Sequence, residues 1–513
     1  MRRGGGAHAN SGKSKKEYLK RKRVEREARK HLELAECEAE SMAALALSER
    51  PADKGKDKDI GEDDDDESTS ASASGSSSAA AAASSAAAMR PLGWAEGEQE
   101  LARSGKDNKL TSLFAREDDA AVQARRADAS RALDTARRGR ALVAPLMADL
   151  GLPTRPAWDA RTSPEALDVM ERAMFARWRD SVQARFAPQH VSPFERNLEV
   201  WRQLWRTLEK SSAVVVTADA RNPLLHLPAA LFAHLQGLGL PALVVLTKVD
   251  LVSRAHVERW LRFLPRLLPA DVRLATFSTK LVGTEGAHCD VKGGAAMRRK
   301  ALAGKVKGEE AHAHAQAGQL LGLCIRVARE APSRGGGQGE APCIGIVGQP
   351  NTGKSSLLNA LVGQKVVSVS RSCGHTKHWQ THVVSGPDGA PVATLVDSPG
   401  LIFATAFQDA EAAAPRQVFE LSGLYPIPQI RETYSALRFL AEHVPLELLY
   451  GLELNEEDYG PCWSPYAIAG AFADKKGYTI EGGGPDLHRA GLEIIRDVVD
   501  GYVLLAFDPP DHE

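Results

Sequence analysis

The chain has 513 residues, of which 43% are hydrophobic and 26% charged, with a formal net charge of −1. That length exceeds a single compact core and predicts about two to four units of ordinary globular composition. Six cysteines without a CxxC pair argue against a disulfide framework or a zinc site, and no apolar run approaches the roughly 20 residues of a membrane span.

Charge is divided unevenly along the chain. Residues 1–30 carry twelve Lys/Arg against three Glu. Such a block suits the phosphates of RNA, or a nuclear or nucleolar address. The acidic run Gly61 to Glu67 and the Ser/Ala tract ending at Ala88 offer too little apolar surface to fold, so 1–90 reads as a disordered tail. The basic start lacks a secretory apolar core, and the expected location is intracellular, in the nucleus or nucleolus, the cytoplasm, or both.

Residues 91–210 read as a helical extension. An Ala/Arg-rich helical pattern over 105–145 ends at Pro153 and Pro156. Helices over 164–186 and 192–210 follow, with Met170, Met174, Phe175 and Trp178, then Trp201, Leu204, Trp205 and Leu208, at helical spacing. Stripes of this kind are core faces in preference to binding faces.

An α/β rhythm begins at 211. Apolar strands are predicted over 213–217, 242–246 and 272–277, separated by helices over 227–238 and 254–268. Polar residues collect at the strand C-termini, which predicts a doubly wound, mostly parallel sheet within a domain spanning 211–415. Residues 283–340 interrupt the rhythm and read as a flexible insertion, helical only over 320–331. His312 and His314, beside Glu309 and Glu310, lack a second cluster at ligand spacing, which argues against a metal there.

The rhythm resumes with strand 344–347, the loop GQPNTGKSS (348–356) and an apolar helix over 357–362. Strand, glycine loop and helix is the context of a phosphate-binding loop. Gly348 and Gly353 let the backbone turn its N–H groups inward, and the helix N-terminus favours anions. Asn351, Thr352, Gly353, Lys354, Ser355 and Ser356 would contact the phosphates, Lys354 reaching the β- and γ-phosphates and Ser355 placing its hydroxyl on Mg²⁺. A hairpin over 379–384 and 392–396 ends in Asp397-Ser398-Pro399-Gly400. Asp397 fits a Mg²⁺ carboxylate and the Gly400 N–H a γ-phosphate contact, with Thr376 as a second direct Mg²⁺ ligand in the triphosphate state. Lys354, Thr376 and Gly400 are the candidate catalytic groups. From 416 to 513 a helical module with proline breaks is expected.

Thr247-Lys248-Val249-Asp250 closes one predicted strand and Ser278-Thr279-Lys280 the next. A carboxylate at Asp250 accepts hydrogen bonds from N1 and N2 of guanine, which adenine lacks, and the stem of Lys248 covers the base. Base-reading residues therefore precede phosphate-reading residues. In that order the chain resembles the YlqF/YawG family of circularly permuted GTPases over about 100–513. The resemblance rests on FERNLEVWRQLWR (194–206), DARNP (219–223), TKVD, GQPNTGKSS, VVSVSRSCGHTKHWQT (366–381), DSPGLIF (397–403), GLYPIPQIRE (423–432) and FDPPD (507–511).

The resemblance implies GTP and GDP as ligands, Mg²⁺ as cofactor, and a role in ribosome assembly, mostly of the large subunit, with pre-ribosomal RNA and proteins as partners. No small-molecule substrate other than GTP is expected, and the lack of a long apolar run argues against a membrane partner. Three positions depart from it. Thr247 replaces an asparagine that braces base and phosphate loop, and Cys373 replaces a proline near Thr376. Leu401 stands where many GTPases carry a water-orienting glutamine, so intrinsic hydrolysis is expected to be slow. Similar proteins with an asparagine matching Asn351 use K⁺ as an added positive charge. A weakly binding, non-catalytic scaffold is the alternative, and an ATP-binding protein is disfavoured by Asp250. Leu401 onward is expected to lead directly from the γ-phosphate contact into the C-terminal helices.

Overall fold

A computed structural model describes residues 112–115, 117–186, 191–280, 309–330, 341–367, 380–386, 388–407 and 415–510. The 1–90 tail, Cys373 and Thr376 lie outside the described residues. All described residues belong to one unit, Ala87–Glu513.

In chain order the N-terminal extension contributes α1 (Asp119–Ala127), β1 (Met147–Asp149), α2 (Pro164–Arg185) and α3 (Leu198–Lys210). The central region follows as β2 (Ala213–Asp219), α4 (Ala229–Gly237), β3 (Ala242–Thr247), α5 (Arg254–Phe263) and β4 (Arg273–Phe277). Next come α6 (Glu309–Glu330), β5 (Cys343–Gly348), α7 (Lys354–Val362), β6 (Gln380–Ser385), β7 (Pro391–Asp397) and β8 (Thr405–Phe407). The C-terminal helices are α8 (Pro415–Leu421), α9 (Tyr434–Ala441), α10 (Leu446–Tyr450), α11 (Glu456–Tyr459), α12 (Pro465–Lys476) and α13 (Leu487–Val499). Local chemistry sets several helix starts: the side chains of Ser163, Asn197, Ser253, Ser464 and Asp486 each accept a first-turn N–H of the helix they precede.

The main sheet runs β4-β3-β2-β5-β7-β6. Neighbours from β4 to β7 are parallel, and β6 is antiparallel to β7. The doubly wound, mostly parallel sheet of the sequence reading is therefore present. Its centre is buried on both faces, and side chains alternate between two cores. Val214, Val216 and Ala218 join one core, which also holds Trp201, Trp205 and Trp260. Val215, Ile344 and Ile346 join the other, with Leu357 and Leu358 of α7.

The aromatic stripe of α3 is core, as its spacing predicts. Trp201 is fully buried, donates its indole N–H to the Glu195 carbonyl at 3.0 Å, and meets Phe403 edge-on at 6.0 Å.

Other expectations are corrected. Over 105–145 the only described α-helix is α1, followed by short 3-10 turns. The arginines of this stretch hold the C-terminal helices instead: Arg138 donates to the Ala441 carbonyl at 2.9 Å and Arg125 to Glu432 at 3.1 Å. The helix expected from 192 begins at Leu198, because 191–197 runs extended beside 402–406, with Ser192 N–H on the Thr405 carbonyl and Glu195 N–H on that of Ile402. Within 283–340 the helix expected over 320–331 is present but begins earlier, as the long helix α6 over 309–330. Ala317, Leu320, Cys324, Val327 and Ala328 recur at helical spacing and are buried. The path beyond Leu401 also differs, since β8 pairs antiparallel with β1 of the N-terminal extension before α8 begins. The C-terminal helices share a core with the sheet: Val418, Leu437, Phe472 and Ile495 lie in one cluster with Trp201 and Leu225.

Candidate nucleotide-binding site

Because β2, β3, β4, β5 and β7 are parallel, their C-terminal ends open at one sheet edge, where ligands bind in folds of this kind. That edge gathers the 219–223, 247–250, 278–280, 348–356 and 397–400 segments, although up to about 180 residues of chain separate them.

The phosphate loop turns on left-handed backbone. Gly348 has φ 149°, Asn351 58° and Gly353 92°. A Cβ on Gly348 would stand 2.5 Å from Thr217 Oγ1, so this close approach to β2 requires glycine. Gly353 opens α7 with no side-chain cap, which leaves the first-turn N–H groups for an anion. Lys354 is buried, its Nζ donating to the Gln349 carbonyl at 2.6 Å. Thr352 Oγ1 donates to the same carbonyl at 2.8 Å and stands 2.7 Å from Thr217 Oγ1. Ser355 and Ser356 are half-buried on the first turn of α7.

Asp397 ends β7 fully buried, and neither carboxylate oxygen has a hydrogen-bond partner. Burial raises its pKa to about 6, opposed by the charge of Lys354. Two buried, unpartnered oxygens fit a hard cation, and Ser355 supplies a nearby hydroxyl by sequence position. The residues present therefore fit Mg²⁺. Gly400 lies against the phosphate loop, where a Cβ would be 2.9 Å from Pro350 N and Cα and 3.1 Å from Lys354 Nζ.

On the base side, Lys248 adopts φ 56° and pairs with Asp219 at 2.8 Å. Ser278 donates its hydroxyl to Asp250 Oδ1 at 2.6 Å and accepts the Lys280 N–H at 3.0 Å. Thr279 is exposed. Thr247 is buried, its hydroxyl donating to the Thr352 carbonyl at 2.6 Å, with the Ala218 carbonyl at 3.1 Å. The brace between base loop and phosphate loop, expected to be lost with the asparagine, is thus made by a hydroxyl.

Comparison with known proteins accords with this geometry. The family described as "50S ribosome-binding GTPase" matches residues 343–425. Guanine nucleotide-binding protein-like 1 of Mus musculus is 34% identical over 409 residues, covering 71% of this chain and 65% of that protein. Large subunit GTPase 1 of Schizosaccharomyces pombe is 31% identical over 377 residues, covering 71% and 59% respectively. The chain thus spans about two thirds or less of the length of these relatives. Among solved structures, GNP-bound YlqF from T. maritima is similar over 61% of this chain and all of that one, at 20% identity and a TM-score of 0.35. The chain has the P-loop GTPase fold with its motifs in circularly permuted order, and it is similar to these GTPases.

In this permuted GTPase fold the sequence located most of the residues that meet at the edge. It missed Thr217, Gln349 and Gln316. Gln349 anchors the phosphate loop by donating to the Leu225 carbonyl at 2.7 Å, and Gln316 of α6 accepts the Ser278 N–H at 3.3 Å. Thr217 was visible as a hydroxyl closing an apolar run; Gln316 had no signal, since α6 was not expected there.

Proposed function

We propose that this protein binds GTP and GDP with Mg²⁺ and hydrolyses GTP slowly, as a switch in assembly of the large ribosomal subunit. The observation that carries the reading is Asp250, held by Ser278, on the same sheet edge as the Lys354 loop and the unpartnered Asp397. Asp250 would accept the N1 and N2 hydrogens of guanine, and the stem of Lys248 would cover the base. Ser278, Thr279 and Lys280 would close the base pocket. Lys354 and the N–H groups from Asn351 to Ser356 would hold the phosphates. Ser355, Thr376 and Asp397 would hold Mg²⁺, which would supply charge neutralisation for the phosphates.

Leu401 is only 2% exposed and packed in the core, so its side chain cannot orient an attacking water. Slow turnover follows, raised by K⁺ or by a pre-ribosomal partner. Asn351 Nδ2 donates to the Gly423 carbonyl at 2.6 Å, which fixes the amide, and its oxygen would be the group to meet K⁺. The relatives' names, 50S ribosome-binding GTPase and Large subunit GTPase 1, support the ribosomal role and an intracellular location. The burial of Leu401 also favours a second reading, a GTP-binding scaffold with little catalysis.

Single-turnover hydrolysis in K⁺ and Na⁺ buffers, with and without Lys354→Ala, separates the two. The switch reading expects slow, K⁺-stimulated turnover abolished by the substitution. Turnover equal to that of Lys354→Ala in both salts would leave the scaffold.

A further inference from the structure

The DARNP segment at the end of β2 touches the site as described only through the Asp219–Lys248 pair, yet its other residues are built into the same network. Asp219 is buried, and its carboxylate is shared by two cations. Arg221 reaches it through Nη2 at 2.7 Å and Nε at 3.1 Å, and Lys248 through Nζ at 2.8 Å. The two guanidinium-facing contacts are fork-like, so they fix the carboxylate plane as well as its charge. This lysine is the one placed over the base. Its left-handed backbone is costly for a residue with a Cβ and persists only where surroundings enforce it.

The other side of Arg221 faces the C-terminal region. Nη1 donates to the Val498 carbonyl at 2.6 Å and Nη2 to the Val499 carbonyl at 3.3 Å. These belong to the last turn of α13, where carbonyls have no partner within the helix and the dipole favours a cation. The Arg221 carbonyl in turn accepts the Phe507 N–H at 2.7 Å. Close packing reinforces the junction: a Cβ on Gly501 would stand 2.8 Å from Leu251, the residue after Asp250. Asp250 and Asp500 also face Arg221 electrostatically, and burial makes every member of the network sensitive to loss of another.

We infer that Arg221 is a positioning residue for the base-covering Lys248, acting through Asp219, and that it makes the C-terminal end of α13 part of the guanine site. The inference rests on the reading of Lys248 as a base contact. Linkage is reciprocal, so filling the base site orders the end of α13, and a partner that displaces this helix end loosens the nucleotide. The relay gives the C-terminal helices a route to the nucleotide that bypasses the γ-phosphate contact.

The test uses the full chain and two probes, a fluorescent GDP and Mg²⁺-tripolyphosphate, which lacks the base. The variants are Arg221→Gln, Arg221→Lys, Lys248→Ala and the double Arg221→Gln/Lys248→Ala. Arg221→Gln should weaken GDP binding about tenfold, the scale of a charge-assisted hydrogen bond, and leave tripolyphosphate binding within about twofold. In the Lys248→Ala background the same change should add less than about twofold. Arg221→Lys, which keeps the charge without the fork, should fall between, and it carries the test if the glutamine variant does not fold. In the unmodified protein, GDP should slow hydrogen exchange at the amides of Asp500, Gly501 and Tyr502, which close the end of α13. Equal losses for both probes would mean a merely structural role and overturn the inference. So would multiplicative effects of the two substitutions, or exchange at 500–502 indifferent to GDP. If Lys248→Ala itself left GDP binding unchanged, the base-contact reading would fall first, a result distinct from the others.

Discussion

At Thr247 one hydroxyl makes the brace that the resemblance assigns to an asparagine amide. Its single proton is shared between the Thr352 and Ala218 carbonyls, the shorter contact being to the phosphate loop. Thr247→Val keeps the shape and removes the donor, which leaves a buried carbonyl unpaired. The expected cost is about 1–3 kcal/mol of stability by thermal or urea unfolding, with weaker GDP binding. Unchanged stability would mean the hydroxyl is not a brace. Gly400 shows the same economy through absence of a side chain. A methyl group at 2.9 Å from Pro350 backbone forces the 397–400 loop off the phosphate loop. Gly400→Ala should therefore reduce GTP affinity and hydrolysis while GDP affinity stays close to that of the unmodified protein. Equal affinity of Gly400→Ala for GTP and GDP, both as in the unmodified protein, would contradict the γ-phosphate role.

At the scale of elements, legibility followed the locality of the signal. The strands and the phosphate loop were plain because apolar runs, glycines and strand-end polar residues lie within a few residues of each other. The first half of α6 was hidden: before Leu320 its sequence offers Glu, Ala, His, Gln and Gly, with Ala317 buried but too small to mark an apolar face. The 105–145 stretch misled in the opposite sense. Its Ala and Arg favour helix, but tertiary partners on the C-terminal helices claim the arginines. The extended entry to α3 likewise depends on residues 402–406, far away in sequence. Glu195 is its anchor, accepting the N–H groups of Leu113 and Asn197, both at 2.9 Å, from a buried position that raises its pKa to about 7. A folded-state pKa above the ordinary carboxylate value means stability that is present at low pH and is lost as pH rises through about 7. Glu195→Gln cannot ionise. Its melting temperature relative to the unmodified protein should rise between pH 5 and pH 8, and a pH-independent difference would show that Glu195 does not titrate in this range.

At the scale of the whole molecule, the segments proposed to read the base come first in the chain and those proposed to read the phosphates last, and the sheet reunites them. β2 lies between β3 and β5, so Thr247 must reach across it to brace the phosphate loop. The N-terminal extension covers the segment after Gly400 through β1 and β8, while α13 closes on the 219–223 segment through Arg221. The sequence could show the order of the motifs and the family they resemble. It could not show that the C-terminal helices share the core of the sheet, because that contact is non-local and written in ordinary Leu, Ile and Ala.

The central claim is a guanine site completed across the permutation, and Asp250 tests it most directly. Asp250→Asn exchanges an acceptor for a donor facing the base, which suits the carbonyl of xanthine in place of the amine of guanine. In Mg²⁺ buffer the unmodified protein should bind fluorescent GDP without displacement by ATP, and Asp250→Asn should lose GDP and gain XDP. Displacement of GDP by ATP at comparable concentration, or undiminished GDP binding by Asp250→Asn, would contradict the account.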